Sequence, residues 1–223
     1  MSLMNIDNTQ TSDKHNRFRS LWLRQQLFKT PDDSPIVYQQ LQDAYDEPQR
    51  VYHTLEHINC CLTIFDRVSH LLKNPDAVEL AIWFHDAIYQ LGACDNEQLS
   101  AELFMNVTDG FFQDELREAV YQHIMATCHT SAPITNPDMK LMVDIDLSSF
   151  GLPWPDFLRD SKNVRDEMSH ICDAEYHKKQ IAFQQALLSR PSFFYSDYFI
   201  EHYEAQARSN LAKLFELVKN NQL

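Results

Sequence analysis

The sequence predicts an all-α protein of one main domain, with N- and C-terminal helices packed around a central bundle. Three observations predict it. Only three glycines occur in 223 residues, Gly92, Gly110 and Gly151, too few for a β-sandwich with many tight turns. No stretch alternates cleanly between apolar and polar residues at a period of two, the mark of a half-buried strand. Apolar residues recur instead at helical spacing, between Asn, Asp, Pro and Gly punctuation. Hydrophobic residues make up 44 % of the chain, so a sizeable core is available and wholesale disorder is excluded.

The elements follow in order. Residues 1–15 read as a flexible polar segment, and residues 16–223 as the helical domain. Residues 17–29 form a first amphipathic helix, broken by Thr30-Pro31-Asp32-Asp33-Ser34-Pro35. Residues 36–45 form a second. A third opens at Asp46-Glu47-Pro48 and runs to about residue 72. Asn74-Pro75 is a strong start, with Asn as N-cap and Pro at the first helical position, and its helix reaches about residue 89. Asp95 and Gln98 resemble a capping box for a helix ending near residue 107. Residues 113–128 follow. Asn136-Pro137 repeats the Asn-Pro start and leads into residues 139–149, stopped by Gly151 and Pro153. Two long polar-rich helices, residues 161–189 and 196–219, complete the chain. Tyr195, Tyr198, Phe199, Tyr203, Leu211, Leu214 and Leu217 give these last helices an apolar face. Packing on the chain's own core is the favoured use of that face, with homodimerisation as the other.

Charge and cysteine content narrow the function. Nineteen Lys and Arg against 32 Asp and Glu give a net charge of −13, whereas a nucleic-acid binder is expected to carry a basic footprint. No nucleic-acid polymer is therefore expected as a partner. The apolar runs are too short to span a bilayer, and residues 1–15 lack the apolar region of a signal peptide. The five cysteines are scattered without a C-x-x-C pair, which fits a reducing, cytoplasmic setting. Scarce glycine argues against glycine-rich phosphate loops.

Polar residues interrupt three segments that should be buried. Between Ala77 and Ile88 nearly every residue is apolar, yet His85 and Asp86 sit among them. Asp144 and Asp146 break the apolar run of residues 139–150. His53 and His57 lie four apart, on one face of the predicted third helix. Burying a carboxylate is costly unless it is paired or coordinates a metal. A divalent cation is the economical resolution, because imidazole and carboxylate together suit several first-row metals. H-E-x-x-H is absent, so a zincin is not indicated.

The order His, then His-Asp, then a later Asp resembles the HD superfamily of metal-dependent phosphohydrolases. It resembles that superfamily at Arg50-Val51-Tyr52-His53-Thr54-Leu55, at Trp83-Phe84-His85-Asp86 and at Asp144-Ile145-Asp146-Leu147-Ser148. More closely, the chain is similar to a group of small bacterial members with YHxLxHI, FHDxxY and NExxSA motifs, the last being Asn96-Glu97-Gln98-Leu99-Ser100-Ala101 here. Further likeness lies in Ala126-Thr127-Cys128-His129, in Val164-Arg165-Asp166-Glu167 and from Glu204 to Leu211. The resemblance covers most of the chain from about residue 17.

The resemblance implies an HD-domain-like helical bundle with additional N- and C-terminal helices. It implies one divalent ion (Mn, Fe, Co, Ni, Mg or Zn) on His53, His85, Asp86 and Asp146, with Asp144 as the alternative to Asp146. His57 then lines the pocket and joins Asp86 and Glu97 as a catalytic candidate. Arg50, Asn96, His129 and Arg165 are the substrate-binding candidates, and Arg208 is another arginine that could meet phosphate. The expected reaction is hydrolysis of a small phosphorylated metabolite, such as a nucleotide, by metal-activated water. Two other functions are carried beside it. One is a two-iron oxygenase, which needs His123 or His129 as an extra ligand. The other is a non-catalytic module that binds a metal or ligand.

Overall fold

The computed structural model describes residues 5–27, 31–129 and 133–220, and the side chains of these from residue 13 onward. Eleven α-helices follow one another: α1 (Asn5–Gln25), α2 (Ser34–Tyr45), α3 (Leu55–Val68), α4 (Pro75–Phe84), α5 (Asn96–Val107), α6 (Asp114–Ala126), α7 (Pro137–Asp146), α8 (Trp154–Glu167), α9 (Asp173–Leu188), α10 (Asp197–His202) and α11 (Glu204–Lys219). Short 3₁₀ turns follow α3 (Ser69–Leu71) and α7 (Leu147–Gly151). No strand occurs among the described residues, so the predicted all-α class is observed. No helix among them is long and apolar enough to cross a membrane. All five cysteines are free.

The boundaries depart from expectation where tertiary partners intervene. Helix α1 starts at Asn5, inside the stretch read as a flexible segment; the predicted end of this helix, residue 29, lies outside the described residues. The predicted third helix begins only at Leu55, where the Thr54 hydroxyl accepts the Glu56 N–H at 3.3 Å. Helix α4 stops at Phe84 rather than running to residue 89. The expected capping box at Asp95 is not made: its side chain accepts no cap bond, and Gln98 donates to Glu102 instead. The long helix over residues 161–189 is two, α8 and α9. The one over residues 196–219 breaks at Tyr203 into α10 and α11.

Helix α4 is the buried centre. Its residues from Ala77 to Phe84 are all buried, including Glu79, which accepts from Arg17 at 2.7 Å. Helices α3, α5, α6 and α7 pack around it. An aromatic layer from α1 closes the bundle: Phe18 meets Trp83 edge-on at 5.4 Å, and Trp22 lies 4.7 Å from Phe112. Such rings bury large areas and prefer offset or edge contacts.

Helices α4 and α7 share a start, a length and a direction. Asn74 caps α4 through Ala77 N–H at 3.3 Å, and Asn136 caps α7 through Asp138 N–H at 2.8 Å. The Asp138 carboxylate, in the first turn of α7, accepts from Lys73 N–H at 3.0 Å and Asn74 N–H at 2.8 Å. The two N-termini are thereby tied together. Both helices have ten residues, so both rise about 15 Å at ~1.5 Å per residue. Their C-terminal ends therefore reach one level, and His85-Asp86 and Asp146 meet there.

The 3₁₀ turn after α7 is held from α11. Asn210, fully buried, donates from Nδ2 to the carbonyls of Phe150 and Leu152, both at 2.8 Å. Gly151 packs against Tyr203: a Cβ at residue 151 would lie 2.6 Å from Tyr203 Cδ1 and 2.9 Å from its Cβ. That contact is too close for any side chain without moving α10 or the turn. Gly151→Ala is expected to lower stability by about 1–3 kcal/mol through overpacking, read as the shift of a urea unfolding midpoint at unchanged slope. A variant as stable as the parent would show that the turn yields freely.

Candidate functional site

Four groups converge beyond the C-terminal ends of α4 and α7. His57 arrives from the first turn of α3, His85 and Asp86 from the end of α4, and Asp146 from the last position of α7. Ligand atoms of His57, His85 and Asp146 all lie within 4.8 Å of one another. His57 Nε2 is 3.3 Å from His85 Nε2 and 3.2 Å from Asp146 Oδ1. His85 Nε2 is 3.0 Å from Asp86 Oδ2 and 3.5 Å from Asp146 Oδ1. Asp86 Oδ2 also lies 3.6 Å from His57 Nε2.

This donor set suits a divalent cation. His85 Nδ1 donates to the Ile82 carbonyl at 3.0 Å, which places its ring proton away from the site. Its Nε2 then faces the carboxylate oxygens of Asp86 and Asp146 and the Nε2 of His57, in buried surroundings. A cation between them would attract each of these atoms, and hydrogen bonding of the far nitrogen is the usual support of a ligating imidazole. The partial negative charge of two helix C-termini adds to the same demand. Protons answer it in the metal-free protein. Burial disfavours a charged His85, but the Asp86 and Asp146 charges outweigh it and raise His85 well above the ordinary imidazole value. Burial likewise opposes ionisation of Asp86 and Asp146, and the surrounding histidines overcome it, holding both well below the carboxylate range.

His53, expected as the first ligand, does not belong to this group; His57 takes the position. The His53 Nδ1 donates to Glu167 Oε2 at 2.6 Å, and its ring stacks on Tyr89 with centroids 4.2 Å apart. The reason lies in residues 50–53, which are not helical. Glu167, buried at the end of α8, accepts three consecutive backbone N–H groups on Oε1: Val51 at 2.8 Å, Tyr52 at 2.7 Å and His53 at 2.8 Å. With the segment held this way, His53 and His57 no longer share a helical face. Burial opposes the Glu167 charge, but His53 and these N–H groups hold it down to about 2. Sequence reasoning gave Glu167 no role; its only trace was its place in the Val164-Arg165-Asp166-Glu167 stretch.

The other candidates are sorted by their partners. Arg50, with a fully buried side chain, donates to the carbonyls of His53 at 3.1 Å, Asp86 at 2.6 Å and Ala87 at 3.1 Å. Its guanidinium ties the His53 segment to the turn after α4, so it positions the site rather than receiving substrate. Arg165 donates to the carbonyls of Met168 and Ile171 and to Asp173, and lies 4.7 Å over the Tyr176 ring. It closes the α8–α9 turn, which corrects its expected role in substrate binding. Arg208 likewise serves Glu204 and the carbonyls of Arg190 and Pro191. Asp144, the alternative to Asp146, points away from the group and accepts from Tyr195 N–H, Ser196 N–H and Ser196 Oγ at 2.6–2.8 Å. Burial outweighs those bonds and pushes it up to about 7. His123 is buried, its Nδ1 donates to the Ala119 carbonyl, and it is not among the converging residues.

A cavity of about 240 Å³ opens beside the group, lined by His53, Asp86, Asn96, Glu97, His129 and Asp146 among others. His129 has a left-handed backbone (φ 51°), and its Nε2 lies 3.3 Å from Asp146 Oδ2. That backbone carries strain for a residue with a side chain, and it aims the ring at Asp146. Asn96 closes its own loop, accepting Gln90 N–H at 2.8 Å and donating to the Gln90 carbonyl at 3.0 Å. Glu97 stands in the wall beside Cys128, whose thiol burial and this carboxylate push up to about 11. No Lys or Arg lines the cavity among the described residues.

No family model, curated protein or solved structure matches the chain.

The Glu167 bonds give a pH signature. Its folded value of about 2 lies below the ordinary 4.5, so its stabilisation is complete above pH 4.5 and is lost as pH falls towards 2. Glu167→Gln is expected to lower stability at neutral pH by about 2–3 kcal/mol and to flatten the loss between pH 4.5 and 2. Denaturant melts of both proteins across that range check it; parallel curves would mean that Glu167 is not the titrating clamp.

Proposed function

We propose that the protein is a metal-dependent phosphohydrolase acting on a small phosphorylated metabolite. The observation that carries this reading is the convergence of two imidazoles and two carboxylates, of which Asp86 and Asp146 line a small cavity. The resemblance of its motifs to the HD superfamily supports it. His57, His85 and Asp146 would hold the ion, with Asp86 completing the set beside His85. A bound divalent ion lowers the pKa of water and polarises a phosphoryl oxygen.

The chain's own residues do the rest. Asp86, open to the cavity, accepts a hydrogen bond from the attacking water and orients it in line with the scissile bond. A new O–P bond forms as the water oxygen attacks and its proton passes to the Glu97 carboxylate, the ester P–O bond breaks, and the leaving oxygen takes a proton. Glu97 is the carboxyl group in the wall that can return this proton. His129 keeps the Asp146 carboxylate turned towards the floor. Arg50 and Glu167 hold the two irregular segments that frame the site. With no Lys or Arg in the wall among the described residues, a phosphoryl group depends on the ion and the imidazoles for opposite charge. That restricts the substrate to a small anion and fits a chain of net charge −13.

Purified protein is expected to release inorganic phosphate from at least one of a panel of phosphomonoesters with added Mn²⁺, Co²⁺ or Ni²⁺. Chelation should abolish the release, and Asp86→Ala should lower it by at least about a thousandfold, as loss of a metal-side carboxylate. Activity that survives in folded, metal-loaded Asp86→Ala would sink the proposal. Metal content separates the two histidines: His57→Ala should lose bound ion by elemental analysis, while His53→Ala should retain it. The reverse pattern would return the first ligand to His53.

A further inference from the structure

The cavity has two chemically different ends. At one lie the ionisable groups of the floor, with Glu97 in the wall. At the other, Phe150, Val164 and Leu214 face helix α9, which contributes Tyr176, Gln180, Phe183 and Gln184. These four positions of α9 share one helical face. All the carboxylates among the lining residues are at the first end, so the second is uncharged.

Gln184 is out of place there unless something binds it. The residue is only 1 % exposed, and neither its Oε1 nor its Nε2 has a hydrogen-bond partner among the described residues. Buried polar side chains are overwhelmingly partnered, and an unpartnered amide is destabilising. An apolar residue of equal length would fill the same place without that penalty. The amide carries an acceptor beside a donor in one plane, and Gln184 is among the residues that line the cavity. Its complement is a group with a donor beside an acceptor, in the manner of the Gln–adenine pair. The aromatic walls, Phe150, Tyr176 and Phe183, suit a planar group.

We propose that Gln184 determines specificity by pairing with an uncharged, planar amide-type edge on the bound ligand. This rests on the reading of the cavity as the substrate site. The phosphoryl group would lie on the floor and the amide-type edge against α9. Such an edge occurs in the lactam and amidine faces of nucleobases and in open-chain carboxamides.

The test uses the full chain, freed of metal by chelation, and probes without a phosphoryl group. Adenosine, guanosine and uridine form one arm, and N-acetylglycinamide the other, each titrated by calorimetry. Saturable binding in either arm is expected, weakened at least tenfold by Gln184→Met; the arm that binds identifies the source of the edge. The melting temperature of Gln184→Met should equal or exceed that of the parent, because an unpartnered amide is removed. Gln184→Leu is the second variant if Met does not fold. Absence of saturable binding in both arms, equal affinity in the variant, or a lower melting temperature for both folded variants would overturn the proposal. Neither arm involves phosphate release, so failure here leaves the hydrolase reading standing. Nucleoside binding without phosphate release would instead sink the hydrolase reading and keep the pocket.

Discussion

Two carboxylates and two imidazoles buried at one point must be neutralised, and much of the molecule is arranged around that demand. Asp86 and Asp146 would repel one another, and each would be expensive to ionise away from water. In the metal-free protein the two carboxylates raise His85 well above the ordinary imidazole value, and its charge offsets theirs. The demand exists because α4 and α7 start together, at the Asp138 clamp, and end together ten residues later. A change of one residue in either helix would turn His85 or Asp146 by ~100° and disperse the group. The buried, aromatic-lined centre of the bundle keeps α4 from sliding to relieve the charge.

The converging groups stand at helix ends, and the irregular segments beside them are tied by polar side chains. Glu167 gathers the N–H groups of residues 51–53. Arg50 gathers the carbonyls of His53, Asp86 and Ala87. Ser100 accepts Ile88 N–H at 2.9 Å beyond the His-Asp turn. Asp144 holds residues 195–196, and Asn210 holds the turn after Asp146. Each clamp satisfies backbone groups that a helix would have satisfied for itself. The segments that frame the site are thus tied without helical hydrogen bonds, and the Arg50 guanidinium is committed to this task.

The cavity joins these parts to function. Its floor presents ligands for a cation, while its α9 wall presents neutral and aromatic surface. The proposed activity needs the floor, and the proposed specificity needs the wall. The two make separate demands on a ligand, an anionic end and a planar amide-type end.

The helical class, the two Asn-Pro starts and the concern over His85, Asp86 and Asp146 were legible in the sequence. Apolar spacing, caps and polar residues in apolar runs are local signals. The choice of His57 over His53 was not legible, because it depends on Glu167, more than a hundred residues away, pulling residues 50–53 out of the helix. Arg50 and Arg165 were misread for the same reason: a guanidinium's partner is a matter of three-dimensional proximity, and carbonyls leave no mark in sequence. Asp144 and Asp146 differ only in the direction each faces from α7. Gln184 read as one polar residue of a polar helix, and only its burial without a partner in the cavity wall made its amide conspicuous. The sequence by itself determined which residues must be buried and which would be costly there. Tertiary structure decided which partner each costly group meets, because that depends on the register between segments distant in the chain.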